Sequence, residues 1–144
     1  LLSLLFESRF CMAILKYSRQ RASIQEYLLQ THEHPTADTV YLHVKKEFPN
    51  ISLGTVYRNL NLLADMGEAQ KIPTSHGGDR FDGRTDFHYH VICNACGNVS
   101  DLELSPEHIT KINQLADRHF DGQIDSHTMI FNGICSHCLS KKMK

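Results

Sequence analysis

The 144-residue sequence lacks any apolar run approaching the roughly 20 residues of a membrane-spanning helix, so a membrane partner is not expected. It lacks a dominant charge as well. The net charge is −1, and basic residues slightly outnumber acidic ones over residues 12–84 while the reverse holds over residues 85–144. Bulk charge therefore gives no signal for a polyanion partner, and only local clusters can carry one. No segment repeats and none is low in complexity. With 41% apolar and 22% charged residues the composition is that of an ordinary globular chain of one or two small domains, not a disordered tail. The opening Leu1-Leu2-Ser3-Leu4-Leu5-Phe6 is short for a signal core, has no basic start or small-residue cleavage site, and is interrupted by Glu7 and Arg9. A cytoplasmic protein is expected, starting near Met12, with residues 1–11 a non-native or disordered extension.

Cysteine is scarce, yet four of the five cysteines fall in two CxxC pairs, Cys93/Cys96 and Cys135/Cys138. A structural Zn²⁺ takes four thiolates at about 2.3 Å, and two-residue spacers let each pair turn back onto one ion. The long segment between the pairs means that such an ion would staple together distant parts of a domain. A thiol-disulfide oxidoreductase or a disulfide framework uses the same residues. The first needs only one CxxC, however, and the second belongs to secreted chains. Cys11 is left over.

Residues 12–84 read as three helices and a hairpin. Ser18 can cap a helix running to about Thr31, with Ile24, Tyr27 and Leu28 on one face. Thr36 can cap a second carrying Val40, Val44 and Phe48, stopped by Pro49. Ser52 can cap a third, with Val56, Leu60 and Leu63 as its apolar stripe and Gly67 as its stop. Residues 69–72 and Arg80-Phe81-Asp82, around a Gly-rich turn, complete a winged helix-turn-helix. If the stripe faces the core, Thr55, Arg58 and Asn61 point outward with Tyr57 at the edge. These side chains can read base edges or phosphates of double-stranded DNA. Lys16, Arg19 and Arg21 form a basic cluster at the start of the first helix. A solvated helix face would carry the same residues.

Residues 85–144 change pattern. His88–Cys93 and Val99–Leu104 alternate as strands, Ser105-Pro106-Glu107 opens a helix expected to bury Ile109, Ile112, Ala116 and Phe120, and a third strand through Met129–Phe131 runs into Cys135. The fold class is α+β: a winged-helix domain followed by an α/β domain holding a four-cysteine zinc site, small and open-edged enough to call for pairing with a second copy. His88 and His90 share one strand face, with Asp82 upstream, Asp101 downstream and His34 before the second helix. Imidazole and carboxylate suit Fe²⁺, Mn²⁺ or Zn²⁺ and can leave a coordination position open. Paired strand histidines can equally be surface residues.

Jointly, His34-Pro35-Thr36-Ala37-Asp38, Ser52-Leu53-Gly54-Thr55-Val56-Tyr57-Arg58-Asn59-Leu60, Arg80-Phe81-Asp82, His88-Tyr89-His90-Val91-Ile92-Cys93 and the second CxxC after Ile130-Phe131-Asn132-Gly133 resemble the ferric uptake regulator superfamily from about residue 15 onward. The resemblance implies a homodimeric, metal-dependent DNA-binding repressor and not an enzyme. It also implies a structural zinc on Cys93, Cys96, Cys135 and Cys138 and a regulatory Fe²⁺ or Mn²⁺ on His34, Asp82, His88, His90 and Asp101. Asp101, where iron-uptake regulators usually carry glutamate, points to the peroxide-sensing branch. So do Tyr89 and Phe87, which replace ligands of a further site from which His127 survives. In that branch His34 and His88 are the oxidation-sensitive residues. Arg58 is more typical of the iron-uptake branch, and an iron- or zinc-uptake regulator is the alternative within the superfamily.

Overall fold

A computed structural model describes residues 18–75 and 77–142; the expectations for residues 1–11 and for Lys16 lie outside them. Helix α1 (Arg19–Gln30) starts where Ser18 Oγ accepts the Arg21 N–H, and it buries Ile24 and Leu28. Helix α2 (Ala37–Val44) is capped by Thr36 and buries Ala37, Val40 and Val44. It was expected to reach Phe48 but stops at Val44. Pro49 disfavours helical backbone at Phe48, and the chain before it tightens into three-residue turns, Lys46 N–H to His43 O and Glu47 N–H to Val44 O. Phe48 still packs against the core. Helix α3 (Leu53–Asp65) is capped by Ser52, completely buries Val56, Leu60 and Leu63, and is followed by Gly67 in the left-handed conformation at φ 73°.

The three helices pack on one another and on the hairpin of β1 (Gln70–Ile72) and β2 (Arg80–Asp82), which pair antiparallel with Gln70 opposite Asp82. One core joins them through Ile24, Leu28, Val40, Val56, Leu60, Leu63 and Phe81. Each such aliphatic side chain contributes on the order of 1.5–3 kcal/mol by leaving water. Phe81 N–H donates to Pro35 O at 3.0 Å, pinning the strand that carries Asp82 beside the loop that carries His34.

The second group of elements is a three-stranded sheet in the order β4-β3-β5. Central β3 (Tyr89–Cys93) pairs antiparallel with β4 (Val99–Leu102), placing His90 opposite Asp101, and parallel with β5 (Ile130–Gly133), placing Cys93 opposite Gly133. Helix α4 (Pro106–Asp117) makes the crossover and α5 (Ser136–Lys142) follows β5. The expected burial along α4 is not found. Ile109 and Ile112 are half-buried, Ala116 and Phe120 are exposed, and no residue of the helix is buried. Among the described residues no second layer covers that face. The two outer strands are also shorter than expected, β4 ending at Leu102 and β5 starting at Ile130. Among the described residues no helix is long and apolar enough to cross a membrane.

Candidate metal centres

His34, Asp82, His88, His90 and Asp101 come from four separate stretches of chain, and one donor atom from each lies within 4.8 Å of all the others. His34 sits between α1 and α2 at φ 50°, a left-handed conformation that costs a non-glycine residue about 1 kcal/mol or more and that persists only where the surroundings enforce it. Asp82 closes β2. His88, immediately before β3, and His90 within it stand two residues apart in extended chain and bring their Nε2 atoms to 3.0 Å of each other, and the register places Asp101 across from His90.

The distances resemble a coordination shell more closely than a hydrogen-bond chain. His34 Nε2 lies 2.7 Å from Asp101 Oδ1 and 3.3 Å from Asp82 Oδ2. His88 Nε2 lies 2.9 Å from Asp82 Oδ2, 3.2 Å from Asp101 Oδ1 and 3.0 Å from His90 Nε2. Donors about 2.1 Å from a common ion and at right angles to each other stand about 3.0 Å apart. His88 Nδ1 is 2.8 Å from the Asp86 carbonyl; donating its proton there leaves the Nε2 lone pair facing the carboxylate oxygen. Lone pairs facing each other repel unless a proton or a cation lies between them, so this donor set fits a divalent ion. For His34 burial opposes charging, but Asp82 and Asp101 outweigh it and hold the pKa above its ordinary value. Burial would raise the Asp82 pKa, yet the hydrogen bonds from His34, His90 and the Arg84 backbone hold that carboxyl well below the usual range.

A second ring of contacts, absent from the sequence reading, holds these ligands. Asp82 Oδ1, turned away from the cluster, accepts the Arg84 N–H at 2.8 Å. The Arg84 guanidinium grips Asp86 through Nε and Nη2, while its Nη1 reaches Glu103 at 2.6 Å and Asp101 Oδ2 at 3.6 Å. From β1, Gln70 Nε2 donates to the carbonyls of Arg84 and Asp86 at 3.0 and 3.2 Å. Arg80 joins the two groups of elements, donating to His34 O and to Gly97 O. The only hint of this ring in the sequence is the closeness of Arg80, Arg84 and Asp86 to Asp82 and His88.

The four sulfurs of Cys93, Cys96, Cys135 and Cys138 also lie within 4.8 Å of one another, and all four are free thiols. Cys96 Sγ and Cys135 Sγ are 3.8 Å apart, which is about the edge of a tetrahedron with 2.3 Å metal–sulfur bonds. The Cys135 and Cys96 backbone N–H groups draw the Cys93 thiol down to about 6, while the neighbouring sulfurs of Cys96 and Cys135 push Cys138 up to about 12. Four thiolates cannot share this space without a cation, so these residues fit a closed Zn²⁺ site. A redox pair would leave two of the four sulfurs without a role.

On α3, Arg58 and Tyr57 are exposed while Thr55 and Asn61 are half-buried. Arg58 Nη2 donates to Thr55 Oγ1, and Asn61 Oδ1 accepts from Lys71 of β1 at 3.0 Å, so Asn61 also ties the helix to the hairpin. Arg19 is exposed and Arg21 half-buried at the start of α1. His127 lies outside both clusters, between the Tyr89 hydroxyl and Asn113 Oδ1, and Phe87 packs edge-on against its ring.

These two centres, on three helices, a hairpin and a three-stranded sheet, define a metalloregulator architecture, and the family model for the ferric uptake regulator family matches residues 13–132. The chain belongs to that family. The peroxide-responsive repressor PerR of Staphylococcus saprophyticus is 37% identical over 127 residues, 88% of this chain and 84% of that protein. The Helicobacter pylori ferric uptake regulator Fur, whose structure is described as having three functional metal binding sites, superposes with a TM-score of 0.78 at 26% identity over 95% of this chain and 92% of that one. The Campylobacter jejuni peroxide stress regulator gives 0.72 at 28% identity over 96% and 98%.

Proposed function

We propose that the chain is a metal-dependent, DNA-binding transcriptional repressor that responds to peroxide through an Fe²⁺ or Mn²⁺ site on His34, Asp82, His88, His90 and Asp101. One observation carries the reading: the cluster takes His34 and Asp82 from the helices and hairpin and His88, His90 and Asp101 from the sheet. A ligand set split in this way fixes the angle between residues 12–84, read as the DNA-binding domain, and residues 85–144, read as the dimerisation domain. Binding of the ion and of DNA are thereby linked. The aspartate at 101 and the 37% identity to a peroxide-responsive repressor favour this branch.

In this reading Fe²⁺ in the site supplies one-electron reduction of peroxide, whereas Mn²⁺ resists it. His34 is the imidazole nearest to Asp101, at 2.7 Å, and His88 the one nearest to Asp82, at 2.9 Å, so oxidation of either removes a link between the two halves. Cys93, Cys96, Cys135 and Cys138 hold a structural Zn²⁺ that fixes β3 to β5. Arg58, Tyr57, Thr55 and Asn61 on α3 face the major groove of an operator, and Arg19, Arg21 and Lys16 face phosphates. The uncovered faces of α4 and of the sheet edges pair in a cytoplasmic homodimer. The protein is consumed by its own reaction and does not turn over, so it is not an enzyme.

Loading the zinc-containing protein with Fe²⁺ or Mn²⁺ without oxygen, and titrating a duplex selected from random DNA, tests the reading. Metal-dependent binding that peroxide abolishes for Fe²⁺ but not for Mn²⁺ supports it, and an iron complex that persists contradicts it. Arg58 and the likeness to an iron-uptake regulator favour a second reading, an iron- or zinc-uptake regulator. The metal that supports DNA binding at buffered concentrations separates the two. A thiol-disulfide oxidoreductase would be recognised by reactive thiols in the zinc-loaded protein.

A further inference from the structure

Both carboxylates in the five-residue cluster have one oxygen turned inward and the other turned outward, and both outward oxygens meet the same residue. Asp82 Oδ2 faces the three imidazoles while its Oδ1 accepts the Arg84 N–H at 2.8 Å. Asp101 Oδ1 faces the imidazoles while its Oδ2 lies 3.6 Å from Arg84 Nη1, an ion pair. We propose that Arg84 is a positioning residue whose guanidinium limits Asp101 to a single inward oxygen, and so sets how many donor atoms the cluster presents. The inference rests on the reading of the cluster as a metal site.

Two features give Arg84 this role. Its guanidinium is directed toward Asp101 by Asp86, which meets it through two nitrogens at 2.7 and 2.6 Å, and by Glu103 on the nitrogen that faces Asp101. A cation beside this partly exposed carboxylate helps to orient it, since the terminal torsion of aspartate is broad: the imidazoles engage only its inward oxygen, and Arg84 engages the outward one. The backbone contact to Asp82 survives any substitution other than proline, so of the two carboxylates in the cluster only Asp101 loses a contact when the Arg84 side chain is changed; Asp86 and Glu103 are released as well. Released from Arg84, Asp101 can offer both oxygens to an ion and fill a position otherwise open to a small molecule.

Co²⁺ is the probe, because its visible absorption weakens as donor atoms are added around it. Zinc-loaded wild type, Arg84→Gln and Arg84→Lys are titrated with Co²⁺, and operator binding is followed in parallel. Lysine keeps the charge but lacks the planar fork, so it does not reproduce the bidentate grip on Asp86 that aims a separate nitrogen at Asp101. Both variants are expected to give a weaker Co²⁺ band than wild type and an affinity lower by about ten-fold, the lower end of what loss of an outer contact to a ligand causes. A wild-type band in either variant overturns the inference, even where affinity falls, because a merely structural role would lower affinity without changing the donor set. Failure of wild type itself to take up Co²⁺ alongside zinc overturns the metal-site reading instead.

Discussion

His34 Nε2 and Asp101 Oδ1 meet at 2.7 Å across 67 residues of sequence, one from the loop between α1 and α2 and the other from an edge strand of the sheet. With Arg80 reaching from His34 O to Gly97 O, this contact joins the helices to the sheet at the point where the five candidate ligands gather. The proposed switch follows from that joint: loss of the His34 contact would loosen the hold of the sheet on the helical part of the chain.

Asp101→Glu should keep metal-dependent operator binding, because a carboxylate remains, while slowing peroxide inactivation several-fold. The longer side chain reaches the cluster from the same β4 position and can supply both oxygens. Rates of DNA release at fixed peroxide measure this, and a rate equal to wild type would remove the main reason for choosing the peroxide-sensing branch.

Cys138→Ser should strip the thiol cluster of zinc. Structural zinc contributes on the order of 10–16 kcal/mol where folding depends on it, and here the sulfurs tie the start of α5 to the turn after β3. Elemental analysis after chelation, with circular dichroism, should show zinc lost and sheet structure weakened together. Retention of zinc by the variant would mean that three sulfurs suffice.

Gly83→Ala should lower the melting temperature. A methyl at Gly83 would sit 2.6 Å from the backbone carbon and oxygen of Leu28, where neither can yield as a side chain would. Such overpacking costs about 1–3 kcal/mol. A thermal melt of the full chain reads the shift, and an unchanged melting temperature would show that the loop after Asp82 is free to move off α1.

Gln70→Leu should weaken the coupling between metal and DNA more than it weakens metal binding. Gln70 belongs to the hairpin and holds the carbonyls of Arg84 and Asp86, which lie on the outer ring of the cluster. The ratio of operator affinities with and without Mn²⁺ should shrink while Mn²⁺ affinity stays near wild type. An unchanged ratio would rule out the hairpin as a route of coupling.

The helices were legible in the sequence because their caps and apolar stripes are local: Ser18, Thr36 and Ser52 each cap where expected, and Val56, Leu60 and Leu63 are buried. The two ligand clusters were legible through spacing and family likeness. The length of α2 was misread because a stop at Pro49 was expected to act there, whereas its effect begins at Phe48 and the turn before it. Burial along α4 was misread because an amphipathic pattern says which face is apolar and not whether the same chain covers it. The ring around Arg84 was invisible because arginine beside aspartate is common, and only the fold brings Asp82, Asp101 and Glu103 to one guanidinium.

The most direct test of the central claim is mass mapping of the zinc-loaded protein after anaerobic Fe²⁺ loading and stoichiometric peroxide, with operator binding measured on the same samples. The account predicts one added oxygen on the peptides carrying His34 or His88, in proportion to the DNA-binding activity lost, and no such addition in the Mn²⁺-loaded protein. Loss of DNA binding with those histidines intact and the cysteines oxidised instead would contradict it.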